Sequence, residues 1–213
     1  MDFRGSRTLE TQPDVPRSPP RLLAHWLIFV SLAVVITAFD LWTKHAVFDL
    51  LGVRIVSVRM EDGLERKAVE PHDHYVIIPG FFELEANINY GAFSGWFHNN
   101  TGLLKALSGL ALLVVPCFLV SHLRGPGPHG FWFTAALGLL WGGTLGNLYD
   151  RAVDGYVRDF IKWFFMWNGT QHVWPNFNVA DSAICVGVGI IVVLMLLESR
   201  SRKKEPASRG AAS

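Results

Sequence analysis

A chain of 213 residues, half of them hydrophobic and eight of them tryptophan, is too apolar for an ordinary water-soluble domain and reads as a membrane protein. The formal net charge is only +1 and no basic patch with interleaved aromatics occurs, which argues against nucleic acid as a partner. Two cysteines do not make a disulfide framework; Cys117 and Cys185 each sit in a long apolar run and read as small core residues.

Residues 1–21 are rich in Pro and Arg without a hydrophobic period and read as a disordered tail. Residues 22–41 form an apolar run of about the twenty residues that a membrane-spanning helix needs, so a first span is expected over about 22–42. Arginines precede it, as in a signal peptide. The run is long for that, however, and Thr37-Ala38-Phe39-Asp40 is a poor cleavage site, so the span is expected to stay uncleaved. Residues 43–100 are mixed and predict an extramembrane, β-rich loop. Residues 54–59 alternate like a strand, Tyr75-Val76-Ile77-Ile78 is a second β-rich run, and 61–74 between them is polar and turn-like. Two to four strands are expected. His72-Asp73-His74 in this loop reads as a solvated pair; no HExxH motif occurs, and neither a metal nor another cofactor is expected.

A second span is predicted over 103–123, with Asn100 and Thr101 as caps and Lys105 snorkelling to the interface. The breaker Arg124-Gly125-Pro126-Gly127-Pro128 separates it from a third span over 131–149. There Gly138, Gly142 and Gly146 mark a face for close helix approach. Residues 159–177, crowded with Trp163, Phe164, Phe165, Trp167 and Trp174, read as an interfacial stretch. A fourth span over 179–197 and a basic tail, 199–213, complete a single membrane domain of residues 22–198.

The expected fold class is thus a mainly α membrane protein with four transmembrane helices. Arg4, Arg7, Arg17 and Arg21 at one end, Arg124 between spans two and three, and Arg200, Arg202, Lys203 and Lys204 at the other end place both termini in the cytoplasm. Asp40, Asn89, Gly91, Asn147, Asp150 and Asp181 then all fall at the outer membrane face. Taken singly, each has a plain structural explanation. Asp40 and Lys44 form an i, i+4 acid–base pair that suits an interfacial salt bridge or a substrate headgroup. Arg151 adjoins Asp150 and would hold it ionised; Asp159 has Arg158 and Lys162 within reach; Asn178 with Asp181 is spaced as a capping box. Two aspartates at one depth nevertheless suggest a carboxylate dyad, one ionised to take a proton from water and one protonated to polarise a carbonyl.

The motifs Asp40-Leu-Trp-Thr-Lys44, Asn89-Tyr-Gly91-Ala92, Gly142-Gly-Thr-Leu-Gly-Asn147-Leu-Tyr-Asp150-Arg151, Gly155-Tyr-Val-Arg-Asp159-Phe160 and Phe177-Asn178-Val-Ala-Asp181-Ser182 resemble, in order and spacing, the lipoprotein signal peptidases, or type II signal peptidases. The resemblance covers residues 22–197. It implies a four-span aspartic peptidase of the inner membrane with a small extracytoplasmic β-cradle. Such an enzyme removes the signal peptide of diacylglyceryl-modified prolipoproteins, cutting before the lipidated cysteine without a metal, and globomycin-type compounds inhibit it. Carried over by motif, Asp159 and Asp181 are catalytic, while Asp40, Lys44, Asn89, Gly91, Asn147, Asp150, Arg151 and Asn178 shape the site or bind substrate. Three departures stand out: Phe93 comes one place early, Arg158 replaces an apolar residue before the catalytic aspartate, and the polar insert 61–74 lengthens the outer loop. The competing class is a small transporter with intramembrane acids. It predicts carboxylates near the bilayer midplane and an internal repeat, neither of which the sequence suggests.

Overall fold

The computed structural model describes residues 19–60, 63, 65–91, 101–124 and 130–204. The tail through residue 18, Phe93, the Asn100 cap, the breaker 125–128 and residues 205–213 lie outside the described residues. The element order is α1 (Pro19–Leu50), β1 (Ile55–Arg59), β2 (Glu65–Val69), β3 (Tyr75–Ile78), β4 (Phe82–Asn89), α2 (Thr101–Arg124), α3 (Phe131–Val153), β5 (Val157–Trp167), β6 (Thr170–Val173) and α4 (Val179–Lys204).

Three stretches are long and apolar enough to cross a membrane: Leu22–Leu50, Thr101–Arg124 and Val179–Arg200. They leave Leu27, Val34, Leu113 and Leu196 exposed, as hydrocarbon solvent permits. The chain is therefore a multi-pass membrane protein. The third expected span, α3, falls short of that composition because it carries the small and polar residues of the bundle's interior. It packs against α1, α2 and α4 alike. A Cβ on Gly142 would lie 2.7 Å from the Ala33 carbonyl oxygen of α1, and one on Gly187 of α4 would lie 2.8 Å from that of Ala136. Glycine is what lets these backbones touch. Phe29, Leu119, Leu123 and Leu137 fill the resulting core.

Several expectations need correction. α1 runs eight residues past the predicted end of the first span, so Asp40 and Lys44 sit inside a helix and not at its edge. The helix continues because Val47 and Phe48 still have an apolar surface to cover, that of Ala86 and Phe160. It stops where Gly52 takes φ +59°; Gly52 N–H then donates to Asp49 O and Val53 N–H to Phe48 O. The loop 43–100 holds four strands among the described residues, within the two to four expected; β3 and β4 join β5 and β6 from the later stretch in a four-stranded antiparallel sheet β3-β4-β5-β6, beside the two-stranded sheet β1-β2. The aromatic stretch 159–177, read from sequence without a secondary structure, is mostly the β5–β6 hairpin, whose Phe165, Trp167 and Trp174 stay exposed. Cys117 and Cys185 are exposed on their helices. His72 and His74 are engaged, the first as acceptor from Ala86 N–H and the second against Glu83 and Glu85.

Candidate active site

Four connections bring the polar clusters together where the helices meet the sheet. α3 ends beside Gly155, which takes φ +87°, and the chain turns directly into β5. Arg158 N–H thereby donates to Asp150 Oδ2 at 3.0 Å. Next along β5, Ile161 exchanges backbone hydrogen bonds with Phe177, at 2.9 and 3.1 Å, which lays the start of α4 against the free edge of that strand. Asn178 and Asp181 then cap α4 reciprocally: Asp181 N–H donates to Asn178 Oδ1 at 2.9 Å and Asn178 N–H to Asp181 Oδ2 at 3.2 Å. From the other side, Asp40 of α1 accepts from Ala180 N–H at 2.9 Å, tying the middle of one helix to the head of another.

Asp159 and Asp181 meet within a cage of three asparagines. Asn178 Nδ2 donates to Asp159 Oδ1 at 2.8 Å, and Asn89 Nδ2 donates to Asp159 Oδ2 at 3.0 Å. Asn147 Nδ2 donates to Asp181 Oδ1 at 2.8 Å. Asn147 Oδ1 in turn accepts from both Lys44 Nζ and Asn178 Nδ2 at 3.1 Å, so the amides are locked in one orientation. Asp159 is almost wholly buried, whereas Asp181 is half-buried. Burial in this low-dielectric corner pushes the Asp159 carboxyl up to about 8, and the charge of Asp181 adds to the rise; hydrogen bonds from Asn89 and Asn178 and the nearby Lys44 cation only partly offset it.

Beneath the cage runs a buried charge network. Lys44 Nζ lies 2.6 Å from Asp40 Oδ2 and 3.2 Å from Asp150 Oδ2, and Arg158 reaches Asp150 Oδ1 at 2.6 Å. This revises two expectations. Arg158 makes no ion pair with Asp159 among the described residues; it turns inward, where Asp150 needs a second cation once Lys44 is shared with Asp40. Arg151 does not hold Asp150 either. It donates to Asn147 O at 3.3 Å and to Gly91 O at 3.0 Å, and among the described residues its buried Nε–H has no partner. Lys162 pairs with Glu85 at 2.8 Å and leaves Asp159 alone. His45, which sequence patterns did not single out, lies 3.3 Å from Arg158; its only signal was adjacency to Lys44.

All ten residues singled out by motif are thus in this one corner, although they come from α1, β4 and the bend after it, α3, β5, and α4 with the residue that caps it. The family model for signal peptidase II matches residues 32–197, which takes in every one of them. The chain belongs to the signal peptidase II family. Among the similar proteins is the lipoprotein signal peptidase of Anaeromyxobacter sp. (strain Fw109-5), 31% identical over an alignment of 186 positions that covers 83% of this chain and 88% of that one. The lipoprotein signal peptidase of Pseudomonas putida (strain KT2440) is 39% identical over 138 residues, 65% of this chain and 77% of that one. A bacterial membrane enzyme solved by the in meso method at 2.3 Å resolution superposes with a TM-score of 0.63 at 26% identity, covering 84% of this chain and 92% of that one. Signal peptidase II membership accounts for the shared order of the motifs, but the Asp150–Arg158 pair is a feature read from this chain's own geometry.

Proposed function

We propose that this protein is an aspartic endopeptidase that removes the signal peptide from lipid-modified prolipoproteins in the bacterial inner membrane, with Asp159 and Asp181 as its catalytic pair. The observation that carries this is the amide cage: two carboxylates from different elements, bridged by Asn178, one of them held protonated near neutral pH by burial and by the other's charge. Such a pair shares one proton. Asp181 takes a proton from a water molecule, whose oxygen attacks the scissile carbonyl carbon. Asp159 donates its proton to the carbonyl oxygen, giving a neutral gem-diol. On collapse, one hydroxyl proton returns to Asp159, the proton on Asp181 passes to the departing nitrogen, and the carbon–nitrogen bond breaks. The products are a carboxyl terminus on the signal peptide and a free amine on the cysteine. No other group is consumed.

Arg151, with five guanidinium N–H groups and two acceptors, Asn147 O and Gly91 O, among the described residues, suits a substrate carbonyl. α3 serves as the fourth span: its 23 residues reach about 35 Å, and it is sheathed by the three apolar helices. With four spans both basic ends face the cytoplasm, and the cage faces outward, level with headgroups. The exposed aromatics of the β5–β6 hairpin suit contact with acyl chains and membrane lipid. Incubation of the purified protein with a diacylglyceryl-modified prolipoprotein, with and without a globomycin-type peptide, tests the assignment. Cleavage before the lipidated cysteine, blocked by the peptide, is expected. Equal cleavage of the unlipidated precursor would overturn it in favour of a general protease.

A further inference from the structure

β4 is paired with β5 at both ends of its length, but among the described residues β3 covers only its first half, ending where Tyr75 faces Leu84. The remaining edge, from Glu85 to Tyr90, looks across a cleft of about 550 Å³ at strand β2. The direction of the backbone groups there follows from their neighbours. Arg158 N–H is bonded to Asp150 and Arg158 O accepts from Asn178, so both point away from β4. Its antiparallel partner Ile88 therefore turns its own N–H and C=O away from β5, into the cleft. On the opposite wall Glu70 N–H bonds to Arg54 O, just ahead of β1, so Val69, which faces Ile55, turns its backbone groups outward, toward the same space.

Side chains already imitate a strand along both walls. The Tyr90 hydroxyl accepts from Lys67 N–H at 2.8 Å and donates to Lys67 O at 3.1 Å, the pair of bonds that an added residue would make. His72 Nε2 accepts from Ala86 N–H at 3.0 Å, in the place of a peptide carbonyl. The polar insert that lengthens this loop supplies β2 and His72, and so builds the far wall. Asn89, which holds Asp159, lies between Ile88 and Tyr90, so the cleft is continuous with the cage.

We infer that this cleft binds the polypeptide on the mature side of the scissile bond, in extended form, by backbone hydrogen bonds to the open edge of β4. This rests on the proposed function, which sends the signal peptide into the bilayer and leaves the mature side to emerge outside, toward the sheet. Main-chain bonding to a strand edge reads no side chains, which suits an enzyme acting on precursors of differing mature sequence.

The test uses the full-length protein and synthetic diacylglyceryl-cysteine precursor peptides carrying either one or six residues after the cysteine. Two or three backbone hydrogen bonds predict a KM about tenfold higher for the short peptide, with kcat within about twofold. Replacing backbone amides by esters in the long peptide should raise KM at alternate positions only. A photoreactive residue four places after the cysteine should label the Val69–Glu70 or Ile88–Tyr90 walls. Equal KM for the two lengths, or labelling elsewhere, overturns the inference while leaving the proposed function standing. Cleavage of neither peptide overturns the proposed function itself, and this inference falls with it.

Discussion

Lys44 Nζ donates to Asn147 Oδ1 across 3.1 Å, and because an ammonium group can only donate, this bond decides which way the Asn147 amide points. Its Nδ2 is left facing Asp181 Oδ1 at 2.8 Å. A wholly buried cation thus reaches the site through an uncharged amide. Lys44→Met would strand Asp40 in a dry interior and take one of two cations from Asp150. The expected loss is about 3–5 kcal/mol, seen as poor accumulation or a much lower Tm in detergent. Asp150→Asn should lose stability and activity together. Asp40→Asn combined with Lys44→Met should cost less than the sum of the two single changes, since the pair is removed as a unit; simple additivity would contradict the network.

Asp181 has two possible roles that substitution separates. As a helix cap alone, it could be replaced by Glu with little effect and by Asn at about 1 kcal/mol. As half of a dyad it tolerates neither, because a displacement on the order of 1 Å can cost about a hundredfold in rate. Both Asp181→Glu and Asp181→Asn should be expressed and inserted yet inactive, as should Asp159→Asn. Cleavage by Asp181→Asn above a few per cent of wild type would leave only the cap.

The raised carboxyl of Asp159 makes two pH effects with definite signs. The proton it gives to the carbonyl is lost as pH rises through about 8, so kcat/KM should fall on the alkaline side with an apparent pKa near that value. An acid whose folded value lies above its unfolded value contributes stability that is complete below the unfolded value, about 4, and is lost as pH rises toward the folded one. The Tm difference between Asp159→Asn and wild type should therefore move in favour of the variant between pH 5 and pH 8. A difference that stays constant over that range would show that burial does not strain this carboxyl.

Close helix approach at α3 should be as sensitive as the polar cage. A Cβ on Gly143 would stand 2.8 Å from Ile184 Cγ1 and press on the Ala180 backbone, which carries the N–H bonded to Asp40. Gly143→Ala should cost about 1–3 kcal/mol and lower activity, because α4 must shift and Asp181 shifts with it. Gly189→Ala on the same helix pair, with open space around it, should change the Tm little. Thermal unfolding of the two variants side by side checks this; equal effects would mean that packing at Gly143 is not what seats α4.

The proposed orientation places the β5–β6 turn outside. Asn168, at its tip with φ +50°, is exposed, and Asn168→Cys in a background with Cys117 and Cys185 replaced should react with a membrane-impermeant maleimide on intact cells from which the outer membrane has been removed. Reaction only after the inner membrane is opened would reverse the topology and with it the outward-facing cage.

Much of this protein is determined by local features that a single sequence displays. Apolar runs of spanning length, the Asn178–Asp181 capping box, the i, i+4 pair of Asp40 and Lys44 and the four-residue glycine spacing on α3 each rest on periodicity or on a side chain bonding its own helix, and such interactions are written in adjacent residues. The motif order also pointed to residues that the fold brings together in the candidate site. Only the tertiary structure decided who partners whom. Arg158 belongs to Asp150 and not to the neighbouring Asp159, and Arg151 belongs to Gly91 and not to the adjacent Asp150, because successive residues on a strand face opposite ways and successive residues on a helix are a hundred degrees apart. The open edge of β4 and the wall that faces it were equally out of reach. An unpaired strand edge is defined by where the neighbouring strand stops, and that is settled by chain segments from distant parts of the sequence packing over Phe48, Ala86 and Phe160.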